Sequence, residues 1–350
     1  MTSKQRVYNA LGRKETDRVP MWVWYHPAVY DLLRERFGWD NDTADSTLGN
    51  DIKSVHISIN REMFRSLAPG EEYVDEWGVT WIREGWYNQV CRSPLADEDV
   101  SALKDYEFPD PDGEERYLPL SRLCARFGED YFVGADVSGA IFEPCYHIRS
   151  MESLLVDMLQ DKEAVQVFFD KAMEFTRRVC LRALEHPIDW VWLGDDVGGQ
   201  EAMMLSPTLW RELLKPRLAS VIESVKAARP GVYVAYHSCG AIRPIIGDLV
   251  EIGVDVMNPI QPLCPGMDPL EVKAEYGDRM AFLGALDTQD FLIHSTADEV
   301  YRHTRDLISG MSGGGGYILG TSHTVQPDTP IENILAISRA AGVEIGKGNS

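Results

Sequence analysis

The chain has 350 residues, 44% of them hydrophobic, which is enough for one large core and fits a single barrel of alternating strands and helices. Lys and Arg total 34 against 55 Asp and Glu, a formal charge of −21 that argues against nucleic acid or an anionic membrane as a general partner. No apolar run approaches a membrane span, Met1 to Asp17 is too polar for a secretory leader, and the six cysteines are widely scattered, so a reduced, cytoplasmic protein is expected.

In chain order, the first apolar run is Val19–Trp24, followed by a weaker one near Ile52–Ile57. Glu72 to Arg92 then carries Tyr73, Trp77, Trp81, Trp86 and Tyr87, with Gly78 and Gly85 as bends, and predicts an antiparallel β-hairpin laid on the main body. Packing of the hairpin itself is the favoured role of these aromatics over lining a substrate mouth. Tyr131–Ala135 is the third main strand, and a long helix is expected from about Asp161 to Leu184. Trp190–Leu193, Val232–His237, Val254–Met257, Ala281–Leu283 and Tyr317–Leu319 complete the strands. Most are apolar without polar alternation, as parallel strands buried on both faces require.

Helix starts separate them. Ser206 precedes Pro207 as an N-cap, and Thr296–Glu299 and Thr329–Glu332 both have capping-box spacing. Eight strands with crossover helices predict a (β/α)8 TIM barrel.

In such barrels the chemistry gathers at the carboxyl ends of the strands. These ends supply Tyr25 and His26, Asp136 and Ser138, Asp195 and Asp196, His237 and Cys239, Asn258 and Gln261, Asp287 and Thr288, then Ser322 and His323. Each has a bland alternative, since Asp195, Asp196 and Asp287 are also suited to capping helices. His237 and Cys239 lie two apart on one strand and so face the same way. With His323 they make three soft ligands with an open fourth position, the pattern of catalytic zinc. Asp195 or Asp196 would fill that position in the resting state, and Cys264 is an alternative third ligand. The glycines at 313–316 precede their strand and so belong to the opposite face.

Longer motifs then become recognisable. The runs HSCGAIRPIIGDLVEIGVDVMNPIQP (237–262), LGALDTQ (283–289) and GGGYILGTSHTVQPDTPIENILA (314–336) resemble the uroporphyrinogen decarboxylase superfamily. DRVPMWVW (17–24), LGNDI (48–52) and WLGDDVGGQ (192–200) extend the resemblance over most of the chain. It implies one barrel domain over 1–350, with 72–92 as the insertion.

Two chemistries occur in that superfamily. The decarboxylases work without metal and carry arginines just after the first strand, where this chain has Trp24-Tyr25-His26-Pro27-Ala28. Asp51 and His323 nevertheless resemble decarboxylase active-site positions. The other branch, cobalamin-dependent methyltransferases, carries His-x-Cys and a distant second Cys. His237-Ser238-Cys239 matches the first part, and His323 stands where the second Cys is expected. That departure points away from a thiol acceptor and toward relatives that demethylate methoxylated aromatics or other small donors.

The resemblance therefore implies a zinc-dependent methyltransferase performing O-demethylation, with His237, Cys239 and His323 as zinc ligands and Asp195, Asp196 and His323 as candidate catalytic groups. Tyr25, His26, Asp51, Tyr146, His147, Asn258 and Asp287 are the candidate substrate-binding residues. The chain shows no Asp-x-His-x-x-Gly corrinoid motif, so the cobalamin is expected on a separate corrinoid protein. A metal-independent uroporphyrinogen decarboxylase is the alternative, and a small-ligand binding protein on the same barrel is a third reading. The sequence leaves the oligomeric state open.

Overall fold

Unbroken apolar runs become the parallel strands of this computed structural model, which describes residues 1–345 other than 60, 61, 63, 64 and 66. In chain order the strands are β1 (Ile52–His56), β2 (Glu72–Val74), β3 (Thr80–Glu84), β4 (Tyr87–Arg92), β5 (Phe132–Ser138), β6 (Trp190–Gly194), β7 (Tyr233–His237), β8 (Val256–Asn258), β9 (Ala281–Leu286) and β10 (Tyr317–Thr321). Among the described residues β1, β5, β6, β7, β8, β9 and β10 pair in that order, all parallel.

The eighth place belongs to the segment around Met21. It was expected to be a full strand, but it joins its neighbours through isolated bridges, Met21 to both Asn50 and Leu319 and Tyr25 to Val325. Pro20 has no N–H to give a ladder. On the β1 side the Asn50 side chain takes the place of a rung, accepting from Val23 N–H at 2.8 Å and donating to Val23 C=O at 2.9 Å. The ring therefore closes as a TIM-type barrel, with a seam between the 19–25 segment and β1.

Inward side chains fill the barrel. Phe132, Trp190, Trp192, Trp22, Ile52, Leu283 and Ile318 form its interior, with Val7 and Leu11 of the helix Ser3–Leu11 packed against them. Each buried indole removes roughly 200 Å² from water, on the order of 5 kcal/mol. Gly134 makes room for one of them, since a Cβ there would lie 1.8 Å from Trp190 Nε1.

The insertion is a three-stranded antiparallel sheet, β2–β3–β4, instead of a simple hairpin. Trp77 and Trp81 are 1% exposed, which fits packing as their role. The long helix runs Lys162–Ala183 with Asp161 as its cap. Ser206 and the Thr296–Glu299 box cap their helices as expected. The box at Thr329 does not form: the helix Ile331–Ala340 starts after Pro330 with no side-chain cap. No helix among the described residues is long and apolar enough to cross a membrane.

Candidate metal centre

The β6–β7 and β7–β8 ladders set Gly194 beside His237 and His237 beside Asn258. After β7 the chain turns at Gly240, whose φ is +86°. A Cβ there would lie 2.5 Å from the Gly198 backbone, so this glycine lets the Ser238–Gly240 loop pack on the loop after β6. His323 arrives from the loop after β10. The ring nitrogens of His237 and His323 and the Cys239 thiol lie within 4.8 Å of one another.

Their spacing suits a small tetrahedral ion. Metal–nitrogen and metal–sulfur bonds of about 2.05 and 2.3 Å at the tetrahedral angle put N and S about 3.6 Å apart. His237 Nε2 and Cys239 Sγ are 3.5 Å apart. Asn258 Oδ1 lies 2.6 Å from His237 Nδ1, so a proton on Nδ1 leaves the Nε2 lone pair facing the thiol and His323. The amide is itself fixed by donating to Leu283 C=O at 3.1 Å. Asp196 borders the group, its Oδ1 3.6 Å from His237 Nε2 and 2.7 Å from the Cys239 N–H that donates to it. Cys264 stays outside, its thiol facing Gln261 and Gln200.

Electrostatics favour a cation here. Burial, then the neighbouring His237, pushes the His323 pKa down to about 4, so its imidazole is neutral with a lone pair available. Burial, then Asp196 and Glu143, pushes the Cys239 thiol well above its usual range. A divalent ion would reverse that and release the proton.

A cavity of about 310 Å³ opens beside the group. Trp22, Trp24 and Trp192 border it, Trp24 the most exposed of the three, with the Trp24 and Trp192 rings 5.7 and 6.0 Å from the His237 ring. On another part of the wall His56 Nδ1 lies 3.0 Å from Asp136 Oδ2. Burial opposes the charge on His56, but Asp136 raises its pKa overall.

The expected site residues separate clearly. Tyr25, Asp196, His237 and His323 line the cavity. Asn258 supports His237 from behind. Asp195, only one residue from Asp196, does not line the cavity: its carboxylate accepts from the N–H groups of Ile141 and Glu143 at 2.9 and 3.0 Å, at the start of the helix Phe142–Arg149. Burial raises its pKa to about 6, against those donors.

Asp287 is likewise a cap, accepting from the N–H groups of Gln289, Asp290 and Phe291. His26 caps the helix Pro27–Phe37 through Nδ1, and its Nε2 meets Trp86 C=O at 2.9 Å. Asp51 is fully buried against Arg6 and Arg18 and the Met21 N–H, at the foot of the seam. His147 packs on Trp81, and burial lowers its pKa to about 4. Tyr146 donates to Glu143 at 3.3 Å.

Sequence reasoning passed over His56, Glu143, Trp24 and Trp192 as site residues, though all four line the cavity. Strand parity could have found His56, because Ile52, Ser54 and His56 share the inward face of β1. Glu143 carried no such signal.

A methylated-thiol–coenzyme M methyltransferase of Methanosarcina mazei is 24% identical over 204 residues, 57% of this chain and 50% of that protein. A uroporphyrinogen decarboxylase of Pelodictyon phaeoclathratiforme is 26% identical over 136 residues, covering 38% of this chain and 37% of the relative. The matched stretches thus span about half or less of these curated relatives. A solved structure described as a methyltransferase from Methanosarcina mazei superposes over 98% of both chains, with a TM-score of 0.74 at 17% identity, and bears out the fold. The sequence profile of the uroporphyrinogen decarboxylase (URO-D) family matches residues 81–342, and the chain belongs to that family.

Proposed function

We propose that this protein is a zinc-dependent methyltransferase that moves a methyl group from a small methoxylated aromatic donor to a corrinoid carried on a separate protein. The observation that carries this reading is the convergence of His237, Cys239 and His323 at the edge of an indole-lined cavity. Similarity to a methyltransferase at 24% identity supports the reaction class.

Zinc held by these three side chains would supply Lewis-acid stabilisation of the charge that grows on the ether oxygen. The chain's own groups do the rest. Asn258 holds the His237 ring in register, and Cys239 gives up its proton when the ion binds. Trp24, the partly exposed indole of the wall, offers a face on which an arene stacks, and Trp192 packs behind it. A corrinoid on the partner protein would supply the methyl acceptor, so that the carbon–oxygen bond would break with its electron pair on oxygen. His56, drawn toward its charged form by Asp136, donates the proton that makes the departing oxygen a neutral phenol.

The decarboxylase reading fares less well on charge. Asp45, Asp136, Glu143 and Asp196 face the cavity against Lys53 as its only lysine or arginine among the described residues, a poor match for a polycarboxylate substrate. The test is elemental analysis combined with a methyl-transfer assay supplied with corrinoid protein. One zinc per chain, lost together with turnover in His237→Ala, is expected. Retention of both in that variant, or full turnover without corrinoid protein, overturns the proposal. Decarboxylation of a porphyrinogen by metal-stripped protein would favour the alternative enzyme. Binding without turnover would favour a ligand carrier.

A further inference from the structure

The end of the barrel where the strands begin, opposite the candidate metal centre, holds a second cavity of about 580 Å³. Its wall forms where the turn after the helix Ser3–Leu11 meets the glycines before β10 and the ends of the helices Ala297–Met311 and Ile331–Ala340. The glycines make the close fit possible. Gly314, Gly315 and Gly316 have φ between +67° and +73°, and a Cβ on Gly315 would lie 2.6 Å from the Arg13 Cα. The loop backbone therefore rests directly on the turn that carries Arg13 and Lys14.

Four basic and two acidic residues line this cavity. Asp17 is taken up by Arg6 at 2.7 and 2.8 Å, and Arg18 by Asp51 at 2.8 and 3.0 Å. That leaves Arg13, Lys14 and Arg305 against the single carboxylate of Glu15. All three cations are exposed, and none forms a salt bridge among the described residues. Lys273 stands beside them, half-buried, with its Nζ donating to Gly315 C=O and no carboxylate partner either. Burial, then Arg13, lowers its pKa, so these cations oppose one another. Elsewhere on this acidic surface, cations such as Arg177, Arg182 and Lys215 sit against carboxylates.

Backbone carbonyls account for part of the cluster. Arg13 donates to Gly277 C=O at 2.9 Å and Arg305 to Ala340 C=O at 3.2 Å. Those bonds anchor the side chains without neutralising them, and a guanidinium keeps further N–H donors to spare. The Gly314 N–H also finds no backbone acceptor among the described residues, and a Cβ built there would meet nothing within 4 Å. Such a wall suits an anion with several oxygens. A phosphate monoester carries about two negative charges and three acceptor oxygens, which arginine and lysine match well.

We propose that this cavity binds the phosphate or pyrophosphate group of a small molecule, held by Arg13, Lys14 and Arg305, with Lys273 behind the glycine loop. The inference goes beyond the methyl-transfer reading and does not depend on it.

The test is calorimetric titration of the full chain with inorganic pyrophosphate at fixed ionic strength, with citrate as a polyanion that lacks phosphorus. One pyrophosphate per chain is expected, bound at least about tenfold more tightly than citrate. The double variant Arg13→Gln, Arg305→Gln should weaken it about tenfold or more, and Lys14→Gln about threefold or more. Arg122→Gln, which removes an exposed charge from the helix Glu114–Phe127, should stay within about twofold, and so should His237→Ala at the metal centre. Absence of saturable binding overturns the inference, as does equal affinity for citrate. Unchanged affinity in Lys14→Gln does the same, and that variant alters only an exposed side chain, so it decides the matter even if the double variant folds poorly. A tenfold loss in His237→Ala would place the anion at the metal centre and overturn the inference as well.

Discussion

On the metal side of the cavity, β6, β7 and β8 are joined by continuous parallel ladders that fix His237 beside Asn258. On the seam side, the 19–25 segment meets β1 through one bridge, the amide of Asn50 and the carboxylate of Asp51. The first arrangement is held by backbone, which any side chain provides. The second is held by particular side chains, so single substitutions should reach it more easily.

The largest expected effect belongs to the seam. Asp51 is fully buried and receives hydrogen bonds from Arg6 at 2.6 Å and Arg18 at 2.8 Å. Asp51→Ala leaves Arg6, whose side chain is only 8% exposed, without that partner, and should cost about 3–5 kcal/mol in urea unfolding. A variant as stable as the parent would show that the seam does not depend on these side chains.

On the metal side the corresponding change is milder for the fold and specific for the ion. Asn258→Ala should lower zinc affinity by about 10–100-fold, roughly 1.4–2.7 kcal/mol, as read by competition with a coloured chelator. Unaltered affinity would mean that the amide does not orient His237.

A shift of pH should move the two sides in opposite directions. The raised His56 pKa makes its pairing with Asp136 stabilising below the unfolded value of 6.5, and that contribution fades as pH rises through the folded value. The lowered Asp136 pKa makes the same pairing stabilising above 3.8, and it is lost as pH falls through the folded value. The imidazole is 38% exposed, so the effect on melting should stay under about 1 kcal/mol. Zinc affinity should instead climb with pH, by up to about tenfold per unit, because Cys239 must lose its proton. Chelator competition and thermal melting of the metal-free chain at pH 6 and pH 8 would expose a failure of either trend.

Much of this was legible without coordinates. Apolar runs gave the strands, and the Ser206 and Thr296 caps gave helix starts, because both signals are local. The same strand was expected to carry both His237 and Cys239, but β7 ends at His237, and Cys239 meets the ring from the loop that follows. Parity failed where the strand itself gave way: Pro20 and Asn50 reduced the Met21 segment to bridges, a result that depends on what lies beside it. Asp195 and Asp196 show the limit best. They are neighbours of the same chemistry, yet one caps a helix and the other faces the cavity.

The order of residues by itself determined the barrel, the family and the pairing of an imidazole with a thiol at one strand end, since each follows from periodicity or motif along the chain. Only the folded protein decided that His323 meets that pair, and that Asp287, His26 and Asp51 spend their polar atoms on structure. Those outcomes turn on which donors and acceptors from distant segments reach each other first, and packing in three dimensions sets that competition.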